Sequence, residues 1–474
     1  MHNKSLYFVV YGLILTLLFL SGCNVVNTKP TADATVSQEA ISTITNDITQ
    51  YPSEAPTENI TVIPVIPTRP MATADAEYTT VPTVTVTQNP IPTRPMATTP
   101  NNSTSDTKTK LTGFDIQTFR SVVNSGKKTN VIMSPLSLKQ ALSMVANGAS
   151  GNTLSQIESV LGNNVQALNE EYSQYNNSLQ SGDDCKLNIA NSLWVNVLNR
   201  ASFKLAFVNA VRQYYNSHVV ITPFNDDTVK DINKWIKQNT DGIIEQILNS
   251  IDPVRVAYLI NTVTFNARWE EPYLARDIYK KSFTSVNGTK NLVDMMTFCE
   301  SVYLESETAT GFVKPYKDNK FSFVALLPTA GTDIYEFINR LDHQQVNDML
   351  NSAQSALVHA TIPKFQYSYQ NEMKDVLKQN GITNAFDASM VDFSGMATVA
   401  DDGPLYISSV LQETHITMDE LGTKAASATI VGVDTGSAPR EQEIKEVALD
   451  RPFVYIIIDN TNGSPVFMGT VVEL

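Results

Sequence analysis

An α+β fold built on a large sheet is what this sequence predicts for residues 110–474. Stretches with apolar residues at helical spacing, short runs dense in β-branched and aromatic residues, and one long polar segment between strand-like runs carry that expectation. From Ser137 to Asn147 the positions Leu138, Leu142 and Val145 fall on one helix face, with Ser134 and Pro135 placed as stop and start signals. Ile232, Trp235 and Ile236 share a second helix face, which Gly242 closes. Phe321–Leu327 and Val454–Ile458 are continuous apolar runs of strand length, suited to buried strands.

Gly422-Thr423-Lys424-Ala425-Ala426-Ser427-Ala428-Thr429 follows Asp419-Glu420 and opens a polar segment that ends only at Arg451-Pro452-Phe453. As a strand it puts Thr423, Ala425, Ser427 and Thr429 on one face and Lys424 on the other. The inward face then carries only small side chains and is thin enough to slip between two existing strands. Local propensity also allows a helix over this Ala-rich run, although Gly422 and the β-branched Thr429-Ile430-Val431 argue against it. About thirty residues separate Gly422 from Pro452, and structureless loops beyond roughly 12–15 residues are uncommon unless they are functional. The loop is therefore the expected site.

The remaining chain is of another kind. Lys4 precedes an apolar stretch from Leu6 to Leu20 that ends in Leu20-Ser21-Gly22-Cys23, an export signal over residues 1–23 that resembles the bacterial lipoprotein cleavage box with Cys23 as the lipidated residue. The alternative is an uncleaved membrane-spanning anchor. Either way the body is expected outside the cytoplasm, anchored to a bacterial cell membrane. Residues 24–109 are rich in Thr, Pro, Ala, Ser and Asn, and such a segment cannot bury enough apolar surface to fold. It contains a direct repeat, Ile66–Thr73 and Ile91–Thr98, readable as a duplicated spacer or as a recognition motif. Its proline density predicts an extended, partly stiff stalk. Cys185 and Cys299 either pair, as an oxidising compartment would allow, or remain two thiols.

Catalytic signals are lacking. The histidines are His2, His218, His343, His359 and His415, and none has a spacing that suggests metal ligation. There is no Gly-x-Ser-x-Gly elbow, Gly-rich phosphate loop or CxxC pair, and nothing near Ser134 could act as its base. No enzyme, metal or cofactor is expected. The formal net charge of −14, without a basic stripe, disfavours nucleic acid as a partner.

Several of these segments resemble the serpin family. Asp419-Glu420-Leu421-Gly422-Thr423-Lys424-Ala425-Ala426 looks like the entry to the serpin reactive loop. Others resemble serpin stretches in order: Asn130–Ser137 with Ala141-Leu142 and Gly148-Ala149, Ala190–Trp194, Ile232–Trp235 with Thr240-Asp241-Gly242, and Asn261–Phe265 followed by Trp269. Pro315-Tyr316, Leu327-Pro328, Ile362–Phe365 and the tail from Arg451-Pro452-Phe453 through Ser464–Val471 complete the series. The resemblance implies a serpin-like fold: a large central mixed sheet, smaller sheets, helices and an exposed reactive-centre loop.

It also implies a function, the irreversible inhibition of a serine or cysteine protease that cuts the loop and is trapped as an acyl-enzyme when the freed strand enters the sheet. The hinge would be Glu420, Gly422, Thr423, Ala425, Ala426, Ser427, Ala428 and Thr429. Asn130, Ser134, Ser137 and Asn261 match the family's shutter under the parting strands, and Trp269 matches the aromatic at the entry point. Gln412 stands where the family usually has a shutter histidine. Counting from the hinge puts the scissile bond at Gly436-Ser437, suited to a subtilisin- or elastase-like enzyme; counting back from Pro452 puts it near Arg440-Glu441, suited to a trypsin-like one. The covalent partner is a serine protease, and the inhibitor itself is expected to be a monomer. A non-inhibitory serpin-like binding protein and a surface adhesion lipoprotein remain the alternative readings.

Overall fold

The computed structural model describes residues 110–126, 128–179, 184–199, 201–399, 403–423 and 443–474. In chain order the strands are β1 (Val131–Met133), β2 (Cys185–Asn196), β3 (Ala201–Phe203), β4 (His218–Thr222), β5 (Ala257–Arg268), β6 (Ile278–Thr284), β7 (Lys290–Glu305), β8 (Ala309–Pro315) and β9 (Phe321–Pro328). There follow β10 (Gln354–Pro363), β11 (Phe365–Glu372), β12 (Ala397–Val399), β13 (Ser409–Met418), β14 (Gly422–Thr423), β15 (Ile444–Ala448), β16 (Phe453–Asp459) and β17 (Ser464–Val471). The central sheet runs β11-β13-β14-β5-β2-β4; a second sheet runs β1-β17-β16-β9-β8-β7-β10-β15 with β6 beside β7, and β3 pairs with β12.

Both helices expected from apolar spacing are present. Ser134 caps the helix Pro135–Ala146 by accepting from the Ser137 N–H at 3.2 Å, and Pro135 takes the first helical position, where its missing N–H costs nothing. This helix packs on the back of β2 and β5 and against β17. The helix Asp226–Asn239 covers the opposite face, burying Ile232 and Ile236 against Trp194 of β2, Tyr258 and Ile260 of β5 and Leu411 of β13. Trp235 stays at its half-buried flank. β9 and β16 are buried along their whole length, as continuous apolar runs require of strands covered on both faces.

The feature that positions the site is a seam in the central sheet. β13 and β5 run parallel and pair directly, Ser409–His415 against Tyr258–Thr264. At one end β14 wedges between them: Gly422 pairs with Arg268 and Thr423 with Ala267 on β5, while Thr423 also pairs with Met418 on β13. After residues 424–442 the chain resumes at Glu443 and forms β15, parallel to β10 in the second sheet. Ala425, Ala426, Ser427, Ala428, Thr429, Gly436, Ser437, Arg440 and Glu441 lie outside the described residues, as do Cys23, the stalk and its repeats. Among the described residues no helix is long and apolar enough to cross a membrane. Cys185 and Cys299 are free thiols, and burial pushes the Cys185 thiol up to about 12.

Candidate functional site

The middle of the seam is closed by amides. Gln412 and Asn261 are register partners across it, both buried. The Gln412 Nε2 donates to Asn261 Oδ1 at 2.6 Å and to the Ser134 carbonyl at 3.1 Å, while its Oε1 accepts from the Ser134 N–H at 3.0 Å. Asn261 in turn donates to Asn191 Oδ1 at 2.6 Å, to the Ser137 carbonyl at 3.2 Å and to the Ser137 hydroxyl. Thr414 donates to the Ile132 carbonyl at 2.8 Å. Burying polar groups is costly unless they are bonded; here uncharged groups bond one another, with the Asn191 Nδ2 the buried atom left without a partner. Ser134, Ser137, Asn261 and Gln412 are thus brought together. Asn130 is not: its Oδ1 accepts from the N–H groups of Val472 and Glu473 at 2.7 and 3.1 Å, and its Nδ2 donates to the Glu473 carbonyl. The antiparallel pairing of β1 with β17 draws it to the C-terminal segment, so its expected place in the cluster is corrected.

The entry to the seam is held by aromatic residues. Trp269 follows β5 and stacks on Tyr316, ring centroids 4.4 Å apart and planes at 12°. Its indole N–H donates to the Asp419 carbonyl at 3.0 Å and its backbone N–H to the Leu421 carbonyl at 2.9 Å. The Tyr273 N–H donates to the Glu420 carbonyl at 2.9 Å, and the Lys364 ammonium lies 2.6 Å from the Glu420 carboxylate, holding its pKa below the usual range. Asp419 accepts from the N–H groups of Leu421 and Gly422 at 2.8 and 3.2 Å, although burial pushes its own pKa up. Gly422 has φ +151°, and a Cβ there would lie 2.1 Å from the Ala267 carbonyl oxygen, so only glycine fits. Thr423 is buried, with its hydroxyl 2.7 Å from that of Tyr316. Thr423 therefore faces inward, as strand alternation requires.

Sequence reasoning missed Tyr316, Tyr273, Lys364 and Asn191 as site residues, although three of them stand inside or beside the quoted segments. Their roles come from partners on other strands. On the outer face of the seam, one residue beyond Gln412, Glu413 is 8% exposed, and burial pushes its carboxyl up to about 7.

The site is thus a closed parallel seam with an amide cluster at its middle and a two-residue strand between its edges at one end. The sequence signature described as serpin (serine protease inhibitor) matches residues 109–474, and the chain belongs to the serpin family, whose members are in general serine protease inhibitors. A leukocyte elastase inhibitor of Xenopus tropicalis is 28% identical over 76% of this chain and 97% of its own. A serine protease inhibitor of Cyanea capillata is 29% identical over 75% of this chain and 95% of its own. The thermophilic serpin tengpin in its native state is 39% identical, with a TM-score of 0.72 over 80% of this chain and 97% of that one. Tengpin in its latent state is 37% identical with a TM-score of 0.66 over 77% of this chain and 100% of that one.

Two outcomes follow from the geometry. Gln412→Ala leaves the Ser134 N–H and Asn261 Oδ1 without partners and should cost about 2–4 kcal/mol, read as a lower denaturant midpoint; an unchanged midpoint would show that the lock bears no load. Glu413 concerns pH. A carboxyl near 7 in the fold but about 4.3 in the unfolded chain favours the fold while protonated, and that contribution is lost as pH rises from about 4.3 to 7. The melting temperature of Glu413→Gln should match wild type near pH 4.5 and exceed it progressively up to pH 7.5. Parallel curves across that range would remove Glu413 as the cause.

Proposed function

We propose that this protein is an irreversible suicide-substrate inhibitor of serine proteases. A target enzyme's serine hydroxyl attacks a carbonyl within residues 424–442; an ester forms, the peptide C–N bond breaks, and the new amine stays with β15. The freed segment then continues into the seam as a strand between β5 and β13, carrying the enzyme away before water hydrolyses the ester. The observation that supports this best is the start already made by Gly422 and Thr423 between the two strands.

The registers agree on where such a strand would go. Counting on from Thr423, six positions along β5 from Ala267 reach Asn261, and six along β13 from Met418 reach Gln412. Both point to Thr429, and Asn261 and Gln412 are partners already. The flanking strands need only move apart, without sliding. Insertion replaces a parallel pairing by two antiparallel ones, which are slightly more stable per residue, so the uncut form holds free energy in reserve.

The same counting bears on the scissile bond. Ten positions beyond Thr423, Val433 would lie opposite Ala257 and Ser408, where the strands end. Gly436 is then three residues past the sheet and Arg440 seven, and each residue adds about 3.3 Å of slack to the tether. A short tether favours Gly436-Ser437 and a subtilisin- or elastase-like target. Arg440 after Ala438-Pro439 is the specific feature that favours a trypsin-like enzyme instead. The inhibitor acts as a monomer on the outer side of a bacterial membrane, held through lipidated Cys23 with residues 24–109 as stalk; the Leu20-Ser21-Gly22-Cys23 stretch supports this.

Mixing the protein with subtilisin, elastase and trypsin should give an adduct that survives boiling in detergent, and nicking between Thr429 and Arg451 should raise the melting temperature steeply. Gly436→Pro should abolish the adduct with the first two enzymes and Arg440→Ala leave it intact. Plain proteolysis without an adduct for any enzyme, and no gain in heat resistance on nicking, would overturn the proposal.

A further inference from the structure

Lys314 of β8 is a buried cation inside the grip on the hinge. It is 1% exposed, and its ammonium lies 2.7 Å from the Glu300 carboxylate of β7, itself 7% exposed. It also donates to the Glu271 carbonyl at 3.2 Å. Its ammonium stands 4.5, 5.1 and 5.2 Å from the ring centroids of Tyr273, Phe298 and Trp269.

A buried ion pair is a poor device for stability, since apolar replacements of similar volume are often as stable or more so. What this pair does is fix orientation. A cation attracted to ring faces and pinned by a carboxylate and a carbonyl sets where Trp269 and Tyr273 stand. Those two residues supply the three N–H groups that hold the carbonyls of Asp419, Glu420 and Leu421, and Tyr316, stacked on Trp269, meets Thr423. Apart from the Lys364–Glu420 pair, these contacts on the hinge root belong to residues that Lys314 touches or to the ring stacked on one of them.

We propose that Lys314 and Glu300 are positioning residues for strand entry: by holding Trp269 and Tyr273 in place, they set how readily the residues after Thr423 pass into the seam. The inference rests on the seam being an entry for a strand. Without the ammonium the rings are free to shift, the hold on Asp419–Leu421 loosens, and the uncut segment enters the sheet sooner.

The test is the rate at which uncut protein, held below its melting temperature, converts to a urea-resistant form, measured beside native stability. Lys314→Met alone leaves Glu300 buried without a partner, so it is paired with Lys314→Met/Glu300→Gln, which removes both charges, and with Glu300→Gln, which keeps the cation over the rings. Both Met variants should convert on the order of tenfold faster than wild type; the double variant should do so with its native melting temperature little changed, and Glu300→Gln should fall between. A double variant that converts at the wild-type rate, or rates that merely track lost native stability across all three variants, would overturn the proposal. If nicked wild type gains no heat resistance, the seam reading falls first; if it does gain and the variants match it, Lys314 alone is at fault.

Discussion

The direct pairing of β5 with β13 uses main-chain groups that would all be bonded again if a third strand came between them. Ser409–His415 and Tyr258–Thr264 satisfy one another now, and an incoming strand offers both edges a fresh set of partners while adding its own. The closed seam is therefore held by contacts that the proposed insertion would have to break. These include the parallel ladder, the Gln412–Asn261 bond on the inner face, and the packing of Ile260 and Leu411 under the helix Asp226–Asn239 on the outer face. None of these is individually large. Together they would oppose the proposed insertion through its rate more than through the final balance.

The two faces of the seam answer to different conditions. On the inner face the lock is wired through amides, hydroxyls and backbone groups, so its strength does not change over the ordinary pH range. On the outer face Glu413 is buried next to the same seam, with its carboxyl pushed up to about 7. At the entry stand the partly exposed Lys364–Glu420 pair, open to screening by salt, and the buried Lys314–Glu300 pair, which is screened much less. The contacts along the seam thus differ in their sensitivity to pH and to salt.

Much of this was legible in the sequence because it depends on periodicity. The helix after Ser134-Pro135, the helix through Ile232 and Ile236, and the buried runs of β9 and β16 follow from local spacing, and the inward turn of Thr423 follows from strand alternation. Asn130 failed for the converse reason. Nearness in sequence to Ser134 says nothing of direction, and the pairing of β1 with β17 turns it toward Val472 and Glu473. Tyr316, Lys364 and Asn191 gain their roles from partners 107, 56 and 70 residues away, which no local pattern records. Lys314 did leave a trace: a charged residue between Phe312-Val313 and Pro315-Tyr316 on an apolar strand is expensive unless paired.

A second support for the proposed inserted state is a match of polarity that neither the segment nor the slot shows alone. Carried on from β14, the inward positions of the segment would meet the inward positions of β5 and β13 in turn. Ala425 would come between Phe265 and Ile416, Ser427 between Val263 and Thr414, Thr429 between Asn261 and Gln412, and Val431 between Leu259 and Val410. Alanine and valine fall where both neighbours are apolar, and each hydroxyl falls where at least one neighbour can hydrogen-bond. On the outer face Ile430 would lie between Ile260 and Leu411, beneath the helix that already covers them, while Lys424 would lie between Asn266 and Thr417 near the entry. A slip by one residue would place Lys424 inward and bring Ile430 toward the amides, burying a charge and leaving polar groups unpaired. The register begun by two residues is thus the one that the rest of the segment's composition fits.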